Sequence, residues 1–496
     1  MVDRRDVGAA QVRAHRFARH RTDEAMTTGN ASSGGAVGGL GRRCTVLSYG
    51  VASVILVGTS ALALVRPAPD WRSAAVLVDT GSGAVFVNRE GVLFPALNLT
   101  SALLAAPGPA PSLPMEVSVA DIASASRGAT LGIPGAPDQL PTAGRLITDG
   151  WSICDETTAD GALVSTEVIG AAAAGSPLAT AAALLVVPSS GLANPDPAKS
   201  TVAQLVWAGH RTPVDLRDVA SIQALGLAGV TPRPISDVLL AAIPISPPIS
   251  VVAPSGSGQP PRGFTVRDHT GLPVPVGAVL RVLRADGTVT LHLVHQDGVE
   301  LIGALVADLL RYRTDAQLVT VEPRQLAVLP AVDARIATTV PAVAPQLLPS
   351  SAVPVICAAW RGEERGWDVV VGTALPGGTT TATPAIAGAQ VDRVQIAGGA
   401  GALVRRLERT SADNGSTPMV LVTDLGVVHP VTREAAVRLG LTSDNGVVPA
   451  VPAALIDAMV AGPMLDVEAA GRIWHYRPGA DVDASGGESA GAGPPG

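Results

Sequence analysis

The chain of 496 residues carries a net charge of −7, 3% aromatic and 16% charged residues, with glycine and proline together close to a fifth of the positions. That length supports several domains. Charge is uneven: eight arginines against four acidic residues make residues 1–43 roughly +4, leaving the remainder near −11, and an acidic body of this kind excludes nucleic acid as its partner.

In chain order, residues 1–26 contain AAQVRAHRFARHRTDEAM and read as a short basic helix suited to an anionic leaflet or a partner. Residues 27–44 follow as a Gly/Ser linker, TTGNASSGGAVGGLG over 27–41. Thr45–Val65 is an uncharged run of 21 residues, and about 20 apolar residues cross a bilayer. A signal-peptide apolar core is shorter and lies nearer the start. Ala61-Leu62-Ala63 has the small-x-small form of a cleavage site, a form common in an Ala-rich chain. A buried soluble helix needs a polar face, which this run lacks. The expectation is therefore an uncleaved transmembrane helix over 45–65. Arg42 and Arg43 precede it, with Arg13, Arg16, Arg19 and Arg21 further back, while only Arg66 and Arg72 lie close on the far side. The positive-inside rule then puts the N-terminus in the cytoplasm and residues 66–496 outside it, with Cys44 reduced at the cytoplasmic edge. Residues 66–73 form a Pro-containing stalk.

Only Cys154 and Cys357 lie in the body. Two cysteines in an extracytoplasmic domain are expected to pair. Their settings, WSICD (151–155) and VICAAW (355–360), read as buried strands, and without nearby histidines they cannot complete a zinc shell.

The body repeats a pattern of β-branched strands, a Gly-containing turn and a short helix. Residues 74–114 form lobe 1: Val76 and Val78 against Val85 and Val87 suggest a hairpin, and NLTSALLAA reads as a helix capped by Thr100 or Ser101. Lobe 2 covers 184–245 and lobe 3 covers 246–319, where Asp286-Gly287 signals a hairpin and a helix starts near Gly303. Lobe 4 covers 417–465. Lobes 2 and 4 share a helix, Leu-Gly-Leu, a Val-Pro element and a second helix when aligned on Leu225-Gly226 and Leu439-Gly440. Residues 115–183 and 320–416, each holding one cysteine, would form a split central β-rich domain. Residues 466–496 are assigned to a C-terminal tail, largely disordered.

This layout resembles the EccB family, a membrane core component of the type VII (ESX) secretion system of mycobacteria and other actinobacteria. The residues carrying the resemblance are VFVNREGVLFPALNLTSALL (85–104), RGATLGIPGAPDQLPTAG (127–144), WSICD and DGVELIGALVADLLR (297–311), behind one span and a basic helix. The resemblance implies a single-pass protein of the plasma (inner) membrane. Its α+β extracytoplasmic body would hold four strand-helix repeat lobes around a central split β-rich domain, stabilised by one disulfide. It implies assembly with EccC, EccD and EccE homologues and further EccB copies, for export of small helical WxG100-type proteins. The Gly-rich insert at 27–41 departs from the family pattern and puts the docking distance of the N-terminal helix in question.

Catalytic chemistry finds little support in the sequence. Family members are sometimes labelled ATPases, yet a Walker A loop needs G-x-x-x-x-G-K-[ST], and the sole lysine, Lys199, sits in NPDPAKS. GTALPGGTTT (372–381) is Gly-rich without a lysine and reads as a turn. His292 and His295, three apart on a strand, face opposite sides. His210 and His429 read as turn residues. No G-x-S-x-G elbow occurs, and Asn98-Leu99-Thr100 fits a glycosylation sequon better explained by the helix cap. No catalytic residue, cofactor or metal site is expected. A structural secretion subunit is the leading expectation, with a membrane-tethered cell-wall-binding module and a hydrolase as the alternatives.

Overall fold

The computed structural model describes residues 4–28 and 70–474, apart from 109–112, 149, 172, 174, 191–201, 337–339, 376–382, 409–418 and 443–446. The chain divides into two units, Met1–Pro69 and Asp70–Gly496. In the first, helix α1 spans Arg4–Thr28. It runs two residues past its expected end because nothing breaks it before Gly29. Arg13, Arg16 and His20 recur three and four apart and share one face, while Val12 and Phe17 are exposed. Among the described residues no helix is long and apolar enough to cross a membrane. The expected span at 45–65 and most of the linker lie outside them.

The body is a mixed α+β arrangement of five sheets among the described residues. In the first sheet, β1 (Val76–Asp79), β2 (Val85–Arg89) and β3 (Val92–Ala96) lead into α2 (Leu99–Ala105) and then β4 (Met115–Val117). Val76 faces Val87 and Val78 faces Val85, as the alternation suggests. After the helix, β4 returns parallel to β1, because only a crossover can set a parallel neighbour beside its own hairpin. Next comes a long hairpin, β5 (Trp151–Thr157) and β6 (Leu163–Ile169).

The second sheet holds β7 (Ala182–Pro188), β8 (Val202–Trp207) and β9 (His210–Asp215), then α3 (Val219–Leu225), β10 (Arg233–Ile235) and α4 (Asp237–Ala242). The third holds β11 (Val279–Leu283), β12 (Val289–Val294), β13 (Val299–Ile302), α5 (Ala304–Thr314) and β14 (Leu318–Val321). A second long hairpin follows, β15 (Val355–Trp360) and β16 (Trp367–Gly372). The fourth outer sheet holds β17 (Gly401–Leu407), β18 (Met419–Thr423), β19 (Val427–Val431), α6 (Arg433–Arg438), β20 (Ala450–Pro452) and α7 (Ala453–Asp457). Helix α8 (Val467–Ala470) comes last.

Each outer sheet has the same order, with its fourth strand beside its first: β4-β1-β2-β3, β10-β7-β8-β9, β14-β11-β12-β13 and β20-β17-β18-β19. In all four that closing pair is parallel. The outer edge of each third strand is met by a later parallel segment, at Ser126, Ile245, Ala331 and Val460 respectively. An uncovered edge invites pairing with another chain. Gly226 (φ 67°) and Gly440 (φ 66°) end α3 and α6 in the left-handed region. Leu227 and Leu441 then fold under as buried contacts, which is why Leu-Gly-Leu occurs twice.

The two long hairpins form the fifth sheet, with β5 and β15 antiparallel at its centre. One core cluster joins this sheet to the second and fourth outer sheets. Another fuses the first with the fourth, and a third fuses the second with the third. Helix contacts follow the same pairing: α2 meets α6, α3 meets α5, and α4 meets α7.

Several local expectations differ from the structure. Met115–Val117, the end of Leu318–Val321 and all of Gly401–Leu407 lie in outer sheets rather than in the central segments; the first two are short parallel strands after a helix, which carry no local turn signal. Helix α2 is capped by Asn98, whose side chain accepts from the amide of Ser101 at 2.8 Å. Thr100 and Ser101 lie inside the helix and bond Pro137 and Ile133 instead. His429 lies within β19, fully buried, and His210 opens β9; the Gly-Val-Val-His-Pro stretch looks turn-like only because its proline sits on a strand. Residues 466–474, read with the tail, pack back on the first sheet. There α8 meets α2, Ile473 bridges Leu131, and the indole of Trp474 donates to Gly132 O at 2.7 Å.

Candidate functional site: the disulfide-bonded junction

Strands β5 and β15 pair so that Cys154 stands directly opposite Cys357, with Trp151 opposite Trp360 three residues away. The two sulfurs are joined, across a sequence separation of 203 residues. Both cysteines are buried, in a small cluster with Ile169, Val355, Ala359 and Val370. The bond therefore staples the first half of the body to the second at the middle of the sheet they share.

Side chains alternate along β5, so Asp155 points to the opposite face, where the second sheet packs. It is fully buried. Its carboxylate accepts from the amide of Ser236 at 2.6 Å and from the Ser236 hydroxyl at 2.8 Å. Burial pushes the Asp155 carboxyl above its ordinary range, opposed by the Ser236 bonds and by Arg233. Arg233 is itself buried and donates to the carbonyls of Val353 and Pro354 at 2.5 and 2.6 Å, just ahead of β15. Loss of solvent lowers its guanidinium to about 10. Because Ser236 is also the cap of α4, accepting from Leu239 N at 3.1 Å, its hydroxyl is spent at both ends. The pair holds the second sheet on the central one and offers no nucleophile. On the other side, the indole of Trp360 donates to Ala450 O at 3.0 Å, tying the fourth sheet in, and packs edge-on against Trp367 at 5.5 Å.

The remaining sequence candidates scatter. His295 contacts Glu300 at 2.6 Å, His292 contacts Thr290, and the Nδ1 of His429 donates to Pro463 O at 3.0 Å. Burial holds His292 and His429 below the usual histidine value. Lys199 and most of the Gly-rich 372–381 stretch lie outside the described residues. Among the described residues no group of His, Cys, Asp and Glu is placed to hold a metal ion. A cleft of about 180 Å³ opens between the second and third sheets, beside Pro213, Asp215, Asp218, Ile249 and Arg313. Its cation is committed: Arg313 bonds Asp218 at 2.5 Å and also Ser221 and Ser250. The sequence did not mark the Asp155–Ser236–Arg233 anchor. Its one signal is an acid directly after the cysteine in a strand that reads as buried.

The family model for EccB, described as type VII secretion system ESX-1, transport TM domain B, matches residues 4–473. The chain belongs to the EccB family. As such it is an EccB subunit of the type VII (ESX) inner-membrane complex. Among relatives, this EccB is 32% identical over 432 residues to the ESX-3 secretion system ATPase EccB3 of Mycolicibacterium smegmatis, covering 83% of this chain and 80% of that one. It is 29% identical over 452 residues to the ESX-2 secretion system ATPase EccB2 of Mycobacterium tuberculosis, covering 84% and 86%. Among solved structures it is similar to the EccB3 dimer from the ESX-3 core complex, with 29% identity and a TM-score of 0.65 over 80% of this chain and 99% of that one. It is also similar to a chain of the periplasmic assembly from the ESX-5 inner membrane complex, with 25% identity and a TM-score of 0.66 over 84% and 99%.

Proposed function

We propose that this EccB is a non-enzymatic scaffold of its secretion complex, anchored by residues 45–65 with α1 in the cytoplasm and the body outside. Its four outer sheets are then four copies of one repeat lobe around the central sheet, and its neighbours are EccC, EccD and EccE homologues and further EccB copies. The complex it supports would export small helical WxG100-type proteins. The observation that carries this reading is the set of shared cores. They run from the first outer sheet through the fourth, the central sheet and the second to the third, so the five sheets pack as one continuous body. Relatives that carry ATPase in their names supply a second reading, hydrolysis of ATP. It needs a phosphate cradle, which the sequence lacks in Walker A form.

The test is affinity purification of the tagged full chain from detergent-solubilised membranes, with ATP turnover measured on the same preparation. The scaffold reading expects a high-mass particle containing EccC, EccD and EccE homologues, with no turnover by the EccB chain once it is separated from them. A free monomer, or turnover that stays with the purified EccB, would contradict it.

A further inference from the structure

The outer edge of β13 is covered by the segment Pro330–Ile336, and the way this strap is held differs from the other three. Val299 N donates to Pro330 O at 2.8 Å and Val332 N to Val299 O at 3.0 Å. There the backbone ladder stops. The next two bonded amides, of Arg335 and Ile336, donate instead to one side-chain oxygen, Oε1 of Glu300, at 2.8 and 3.0 Å. The other oxygen of Glu300 accepts from Nε2 of His295 at 2.6 Å. Glu300 is buried, at 2% exposure. The guanidinium of Arg335 grips Asp297 with two bonds, at 2.8 and 2.7 Å, and Glu300 and Asp333 are the other charged groups beside Arg335. The fit is close, since a side chain on Gly298 would meet Pro330 O at 2.5 Å. The corresponding segments of the other outer sheets rest on neutral acceptors: Gly128 and Leu131 on Leu93 O and Pro95 O, Ile133 on the Ser101 hydroxyl, Ser246 on Arg211 O, and Leu465 on Pro430 O.

A carboxylate that accepts several N–H bonds makes them charge-assisted and strong. Taking it away strands two donors at once. We propose that Glu300 is the latch of this strap: its carboxylate closes Pro330–Ile336 over β13, and a neutral side chain in its place lets the strap lift. An open strap leaves the edge of β13 unpaired.

Hydrogen exchange read by mass spectrometry on the intact, detergent-solubilised protein tests this, comparing wild type with Glu300→Gln, Glu300→Ala and Asp297→Asn. In both Glu300 variants the amides of Arg335 and Ile336 should exchange about tenfold faster or more, while peptides from the first and fourth outer sheets match wild type. Asp297→Asn should change strap exchange by less than about threefold, because its ion pair is solvent-exposed. Wild-type exchange in Glu300→Gln would overturn the dependence on charge. Equal acceleration across all four outer sheets in Glu300→Ala would make Glu300 an ordinary stabilising residue. An Asp297→Asn effect as large as that of Glu300→Ala would move the latch to the outer ion pair.

Discussion

Replacing Cys154 and Cys357 together by alanine removes the tie between the two halves of the body while leaving the β5–β15 ladder in place. The loop that the bond closes spans 203 residues, which in the chain-entropy treatment is worth about 5 kcal/mol at 25 °C. Measured disulfide contributions run from about 0 to 5 kcal/mol, and the buried site holds alanine with little repacking, so a loss of about 3–5 kcal/mol is expected. A body of roughly 400 residues unfolds with an entropy near 0.8 kcal/mol/K. The melting temperature should therefore fall by about 4–6 °C. Intrinsic tryptophan fluorescence is a suitable assay, because Trp151 and Trp360 face each other three residues from the bond. A double variant melting within about 1 °C of wild type would refute the reasoning, since the shared sheet would then hold without its covalent staple.

Asp155→Ala leaves the Ser236 amide and the buried Arg233 without their carboxylate, so the urea midpoint should drop by the equivalent of about 3–5 kcal/mol. A midpoint equal to wild type would show that the second sheet docks by apolar contact alone. Gly440→Ala, in open space at φ 66°, should cost only about 1 kcal/mol of backbone strain, whereas Gly462→Ala pushes into the His429 ring and should cost about 2 kcal/mol or more; the ranking is read by thermal melts. His429 is held neutral by burial, so below about pH 6.5 the unfolded chain takes up a proton that the folded one resists, and stability falls with falling pH. His429→Gln should flatten the melting temperature between about pH 7 and 5, and an unchanged slope would place the titration elsewhere. Alkylation of the denatured, unreduced protein should label Cys44 alone; label on Cys154 or Cys357 would contradict the pairing.

What the sequence made legible was local and periodic. The valine alternation in β1 and β2, Asp286-Gly287 between β11 and β12, and the glycines after α3 and α6 each encode their geometry within a few residues. So do the two cysteine strands, whose apolar runs announce burial on both faces. What stayed hidden was non-local. The fourth strand of each outer sheet is short, parallel and separated from its partner by a helix, so nothing near Met115 or Leu318 reveals which sheet it joins. The cap of α2 was misplaced because three cap-like residues, Asn98, Thr100 and Ser101, compete within four positions, and only the bonds of Thr100 and Ser101 to Pro137 and Ile133 decide between them. The Asp155 anchor could not be seen either, because its partners Ser236 and Arg233 lie about 80 residues away in the chain.

The most direct test of the scaffold account is a cryo-EM map of the assembled complex purified with this chain. The account predicts one membrane span per copy at residues 45–65, α1 on the cytoplasmic side, and the five-sheet body outside the membrane in contact with other subunits. A body on the cytoplasmic side, or a complex of full composition from which this chain is missing, would contradict it.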